Sequence, residues 1–139
     1  MKTFVDTNIL VYAEDLDAGE KHDMAVRLVT ELWESGEGVL SIQVLQELFV
    51  TLTRKLPRPV PAAKTRKIVE QYLTWTVVDN SGPLLLGAID LASRSRIAFW
   101  DALIVHAAQQ SGCGRLMTED MSHGQKFGNV RVLSPFVQT

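Results

Sequence analysis

Four carboxylates are candidates for shared chemistry in this sequence, none of them decisive alone: Asp6, Glu47, Asp101 and Asp120. Asp6 ends the short apolar run Thr3-Phe4-Val5, and a new apolar pattern opens after Thr7-Asn8. Asp120 follows Arg115-Leu116-Met117-Thr118 in the same way, with Glu119 beside it. Ligands of open α/β sheets collect beyond the carboxyl ends of the strands, so Asp6 and Asp120 can meet although they lie far apart in the chain. At an effective dielectric near 20, two carboxylates about 4 Å apart repel by roughly 4 kcal/mol, and converging acids therefore demand bound cations or shifted pKa values. Hard oxygen ligands without a matching His or Cys set select Mg²⁺ or Mn²⁺ over zinc. His22, His106 and His123 are too scattered to form such a set, and Cys113 stands alone between two glycines.

Each acid also has an ordinary explanation when taken alone. Asp6 suits a helix N-cap, Asp101 the first turn of a helix, Glu47 a solvated helix face and Asp120 a turn in the polar run Glu119 to Gly124.

The elements that would have to position these residues are legible from periodicity. Thr3–Val5 reads as a buried strand, followed by a tight turn and a short helix through Ile9, Leu10, Val11 and Ala13. Ala25, Leu28, Val29, Leu32 and Trp33 recur at helical spacing and stop at Gly36 and Gly38. Val39-Leu40 is a second strand, and Ser41 is placed to cap a helix through Val44, Leu45, Leu48, Phe49 and Leu52 that carries Glu47. Pro57-Arg58-Pro59-Val60-Pro61 breaks that helix, and Ala62 to Leu73 resumes a helical pattern. Thr76-Val77-Val78 reads as a third strand, then come helices from about Pro83 to Ser93 and from Ile97 to Gln110, the latter with Asp101 near its start. Arg115–Thr118 and Val130–Leu133 complete five strands. Strands alternating with helices imply an α/β fold of three layers around a mostly parallel sheet.

Composition bounds what this fold can be. At 139 residues, 46% of them hydrophobic and 22% charged, the chain is expected to form one domain (1–139) with a sizeable core, which excludes disorder as its main state. Its lone cysteine fits a reducing, cytoplasmic setting, and the apolar run Ile9–Ala13 is too short for a signal peptide or a membrane span. The net charge of −2 does not announce a nucleic-acid binder, but Arg54, Lys55, Arg58, Lys64, Arg66 and Lys67 form an acid-free basic stretch. Arg54, Lys55 and Arg58 are candidate phosphate contacts for RNA; a solvated helix and loop face is the plainer explanation for the stretch alone. Trp33, Trp75 and Trp100 read as core or interface aromatics. The helix around Leu45 to Leu56 is apolar on more than one side, more than a single core-facing stripe requires, and so predicts a covered interface.

In combination, the acid-bearing segments resemble a known family. Phe4-Val5-Asp6-Thr7-Asn8-Ile9-Leu10 is similar to the opening motif of PIN domains. Ser41 to Leu48, with Glu47, resembles their second motif, Phe99-Trp100-Asp101-Ala102-Leu103-Ile104 the third, and Leu116-Met117-Thr118-Glu119-Asp120 the fourth. Val130 to Phe136 resembles the terminal strand, so the likeness spans nearly the whole chain in order.

The resemblance implies a Mg²⁺- or Mn²⁺-dependent endoribonuclease, most often the VapC-like toxin of a type II toxin–antitoxin module. It implies Asp6 and Asp101 as principal metal ligands, Glu47 binding directly or through water, and Asp120 serving a second ion or the attacking water. Thr7, Asn8 and Thr118 are expected to hydrogen-bond those carboxylates, with turn-forming roles equally open to them. A homodimer and an inhibitory antitoxin are the expected partners. Two alternatives stand beside it. One is another acidic-pocket α/β phosphohydrolase, against which Asn8 occupies the second position of Asp-x-Asp; the other is a PIN-like module that has lost catalysis, against which all four acids are present.

Overall fold

A computed structural model describes residues 1–137. It contains the strands β1 (Thr3–Val5), β2 (Gly38–Ser41), β3 (Thr76–Val78), β4 (Arg115–Met117), β5 (Lys126–Phe127) and β6 (Val130–Leu133). The helices are α1 (Thr7–Glu14), α2 (Glu20–Ser35), α3 (Ile42–Val50), α4 (Ala62–Tyr72), α5 (Gly82–Ser95) and α6 (Phe99–Gln110). The strands form one sheet in the order β3-β2-β1-β4-β6-β5, parallel throughout except for β5, which pairs antiparallel with β6. The expected α/β architecture is present, with one strand more than the five read from sequence.

Buried strands of three or four residues are enough here because β1 is central and wholly enclosed: Thr3, Phe4 and Val5 are all buried. Phe4 and Val5 join Val39, Leu40, Leu116 and Val132 from the flanking strands. Near-continuous apolar runs are what a parallel sheet covered on both faces requires. From β1 the chain builds outward to β2 and β3, then returns to the other side of β1 for β4. Since crossovers between parallel strands are right-handed as a rule, the helices of the two excursions fall on opposite faces. Helix α1 packs on α2 and α3, α3 packs on α4, and α5 pairs with α6, which lies against β2, β4 and β6.

Local chemistry ends the helices near where the sequence places them. The Ser41 hydroxyl accepts from the Val44 N–H at 3.3 Å, capping α3. Gly36 closes α2 in the left-handed region at φ +71°, where a side chain would be strained. Helix α3 does not simply stop at the proline-rich break: Thr51–Lys55 continues it as a π-helical turn, in which the Thr53 hydroxyl bonds back to the Phe49 carbonyl at 2.7 Å.

The direction reversal at β1 matters most for function. Chain order changes hands between β1 and β4, and the ground beyond the carboxyl ends of strands at such a point is where open α/β sheets bind ligands. Helix α3 departs from the same end of β2. Helix α6 leads through a four-residue connection into the start of β4, so its N-terminus returns to that end as well.

Candidate active site

Asp6 and Thr118 are neighbours because the β1/β4 register makes them so. Val5 pairs with Met117, and one residue further the Asp6 N–H donates to the Met117 carbonyl at 3.0 Å. The Asp6 side chain is buried and both of its oxygens are occupied. The Thr7 N–H donates to Oδ1 at 2.7 Å and the Thr118 hydroxyl to Oδ2 at 2.8 Å. Asp6 is therefore the N-cap of α1 as well as a member of the acid group.

Asn8 extends this arrangement. Its Nδ2 donates to Asp120 Oδ2 at 2.8 Å and to Thr118 Oγ1 at 3.2 Å, while the Asp120 N–H donates to Thr118 Oγ1 at 3.2 Å. A continuous chain of hydrogen bonds thus runs from Asp6 through Thr118 and Asn8 to Asp120. An Asp in place of Asn8 would set two carboxylates against each other, which disfavours the Asp-x-Asp phosphatase alternative on geometry as well as on motif.

Burial has an electrostatic consequence. Desolvation pushes the Asp6 carboxyl up to about 6 despite its two hydrogen bonds, with the charges of Glu47 and Asp120 pushing the same way. Asp101, half-buried in the first turn of α6, is also raised, by burial and then by Asp120. Glu47 lies one turn into α3 at the exposed mouth of the crevice. Partial desolvation and the charges of Asp101 and Asp120 raise it, while Gln43 and the Lys55 ammonium hold it back. Asp120 therefore acts on Asp6, Glu47 and Asp101, and Glu47 on Asp6, although the four acids come from β1, α3, α6 and the segment after β4.

A divalent cation fits this donor set, which holds hard oxygens, mutual repulsion and one carboxylate already stripped of water. Among the described residues no three His, Cys, Asp or Glu side chains form a ready-made ligand group. Mg²⁺ does not need one, since it usually keeps several waters and binds directly through one or two carboxylates.

The surrounding expectations divide. Thr118 and Asn8 hydrogen-bond the acids through their side chains, whereas Thr7 does so only through its backbone; its hydroxyl is buried and finds no partner among the described residues. In the basic stretch, Arg54 and Lys55 are exposed at the end of the π-helical turn. Arg58 is not free: its guanidinium grips Asp17 in a two-pronged ion pair, the Nε bond at 2.9 Å. Arg66 pairs with Glu70 one turn along α4. Sequence reasoning missed Tyr12, Lys21 and Glu119. The Tyr12 hydroxyl donates to Glu119 Oε1, and Lys21 Nζ reaches Glu119 Oε2 at 2.8 Å. The four-residue spacing of Asn8 and Tyr12 was the available signal, because it puts both on one face of α1.

Part of the apolar surface read along α3 is exposed and part is core. Leu45, Leu48 and Leu52 are buried, but Phe49 and Val50 are exposed and border an apolar groove with Ile42, Val69 and Leu73. Trp100 is 67% exposed and so is not a core residue; beside Phe99 it borders a second groove that reaches Leu85 on α5.

Comparison with known proteins agrees with this architecture. The PIN domain family matches residues 3–125, and the chain belongs to that family. It is 29% identical over 140 residues to ribonuclease VapC24 of Mycobacterium tuberculosis, covering 94% of each chain. Among solved structures it resembles FitAB bound to an IR36 DNA fragment, with a TM-score of 0.75 at 18% identity, covering 99% of this chain and 97% of the other. It also resembles VapBC2 of Rickettsia felis bound to a promoter DNA fragment, with a TM-score of 0.68 at 20% identity, covering 96% and 98%. At such identities the structural likenesses establish the fold.

Proposed function

We propose that this chain is a Mg²⁺- or Mn²⁺-dependent endoribonuclease, the toxin of a toxin–antitoxin pair, acting as one domain in the cytoplasm. The observation that carries this reading is the state of Asp6. A buried carboxylate, with both oxygens bonded and two further acids pressing on it, is costly unless a cation offsets it. Membership of the PIN domain family and the likeness to a mycobacterial ribonuclease support RNA as the substrate.

Asp6 and Asp101 are assigned as the principal ligands, Glu47 as a ligand directly or through water, and Asp120 as the group facing a second ion or the attacking water. When bound, the cation supplies an acidified water and offsets negative charge developing on the scissile phosphate. Asp6 is delivered at a fixed position because Thr7 and Thr118 hold its two oxygens. Thr118 donates its proton to Asp6 and accepts from Asn8 and from the Asp120 backbone, so the hydroxyl has one orientation. Glu47, exposed on α3, and Asp120, held by Asn8, are placed to steer the water proton. Arg54 and Lys55 are assigned to RNA phosphates. Arg58 joins them only by releasing Asp17.

Harmful activity of this kind calls for restraint. An antitoxin that covers exposed apolar surface and brings a cationic side chain to the acids would displace metal by charge pairing. Structural relatives described as toxin–antitoxin complexes make such a partner the natural expectation. The exposed side chains Phe49, Val50, Leu86, Ile89 and Trp100 also support a homodimer. Incubation of purified protein with RNA tests the activity. Cleavage that requires Mg²⁺ or Mn²⁺ and disappears in Asp6→Asn is expected; metal-independent cleavage, or full activity in a folded Asp6→Asn, would overturn the reading.

A further inference from the structure

We propose that Tyr12 and Lys21 are positioning residues for Asp120, acting through Glu119. The inference rests on the reading of Asp120 as part of the catalytic site. Helix α1 presents two prongs, one turn apart, to two consecutive residues beyond β4: Asn8 grips the Asp120 carboxylate, and the Tyr12 hydroxyl grips Glu119 Oε1. Lys21, from the first turn of α2, occupies the other Glu119 oxygen at 2.8 Å. Its ammonium is held in turn, 5.1 Å from the centre of the Tyr12 ring and 5.3 Å from that of Phe136, which packs edge-on against Tyr12 at 5.3 Å. Both oxygens of Glu119 are thereby committed to the flanking helices.

The network serves Asp120 better than it serves stability. Asp120 is exposed and begins the irregular run toward Gly124, where a carboxylate has many rotamers open to it. Asn8 constrains one of its oxygens, Thr118 Oγ1 accepts from its peptide N–H, and the Glu119 N–H donates to Asn8 Oδ1 at 3.4 Å, so the segment is tied on its Asn8–Thr118 side and a hold from the opposite side completes its placement. Glu119 supplies that anchor. The Lys21–Glu119 pair, with side chains 45% and 23% exposed, is of a kind that contributes little to folding. A displacement of about 1 Å at a reacting group, by contrast, can cost on the order of a hundredfold in rate.

A double-mutant cycle separates positioning from bulk structure. Tyr12→Phe removes one hydroxyl and leaves the ring against Phe136; Lys21→Met is the second variant, and Lys21→Arg is the conservative one. Each is made in the wild-type and the Asp120→Asn backgrounds, with melting temperature recorded as a check on folding. Two quantities are read: Mn²⁺ affinity by electron paramagnetic resonance, without RNA, and single-turnover cleavage of RNA. In whichever quantity Asp120→Asn lowers, Tyr12→Phe and Lys21→Met should cause a loss of about tenfold, the lower end for outer partners of metal ligands. Lys21→Arg should restore most of it, and Tyr12→Phe should cost nothing further once Asp120 is Asn. Losses that multiply in the Asp120→Asn background, or a silent Tyr12→Phe beside a damaging Asp120→Asn, would overturn the positioning role alone. A silent Asp120→Asn in both quantities would overturn the underlying reading of Asp120 and the inference with it.

Discussion

The two halves of the acid crevice are built differently. On the strand side, Asp6 and Asp120 belong to a hydrogen-bonded chain through Thr118 and Asn8, anchored on the β1/β4 register. On the helix side, Glu47 and Asp101 project from α3 and α6, and the acids press on them by charge across the crevice. On the strand side Asp6 is fixed before any ligand arrives, at the expense of burying a carboxylate, and the exposed Asp120 is tied to it through one oxygen and its peptide N–H. On the helix side Asp101 is half-buried and Glu47 exposed, and neither belongs to that hydrogen-bonded chain, so that they can close on a cation or yield to substrate. Preorganised groups act without reorganisation at the moment of reaction, and exposed ones adapt.

If that contrast holds, the largest effects come from removing ligands on either side. Asp6→Asn and Asp101→Asn should each lower Mg²⁺-dependent RNA cleavage by more than about a hundredfold, beyond the usual cost of losing an outer partner. The stability effects should then separate the halves. In the metal-free protein, Asp6 holds a proton that the unfolded chain has already released between about pH 4 and 6. Its contribution to stability is therefore full below pH 4 and lost as pH rises through about 6, a fall of about 3 kcal/mol. Urea unfolding across that range should show the decline in wild type and a flatter profile in Asp6→Asn, since Asn caps helices as well as Asp does. Saturating Mg²⁺ at pH 7 should restore stability to wild type alone.

Breaking the connecting chain should have an intermediate effect. Thr118→Val removes the donor to Asp6 and the acceptor for Asn8 and the Asp120 N–H, and should lower metal affinity by about 10–100-fold. Calorimetric Mn²⁺ titration is the check; unchanged affinity would mean that the strand side is not prebuilt for the ion.

The helix-side entrance supplies the smallest effects. Replacing Arg54 or Lys55 with Gln should each reduce the slope of log RNA affinity against log salt by about 1. Arg58→Gln should change it less, because Arg58 is tied to Asp17. Filter binding at several salt concentrations measures all three.

The same division explains what the sequence disclosed. Strand-end acids were legible because an apolar run ending on Asp fixes both the element and the direction of its last side chain, and Ser41 announced its cap in the same local way. The pairing of Arg58 with Asp17 was not legible, since it joins two loops that meet only after α1 and α3 have packed. Nor was the Tyr12–Lys21–Glu119 cluster, whose members come from two helices and a strand end. Strand β5 escaped notice because Lys126–Phe127 is too short to show alternation, and it pairs only because the glycine turn at Gly128 folds it back on β6. The exposure of Trp100 depends on which face α6 turns to the sheet, and an aromatic beside Phe99 and Leu103 reads equally well as buried.

The central claim is that the acids form one divalent-cation site that cleaves RNA. Its most direct test is Mn²⁺ binding and RNA cleavage measured on the same samples of wild type, Asp6→Asn and Asp101→Asn, each verified as folded. The account predicts saturable Mn²⁺ binding by wild type, with cleavage rising along the same isotherm, and loss of both in the two variants. Cleavage that persists in either variant, or that proceeds without any bound cation, would contradict it.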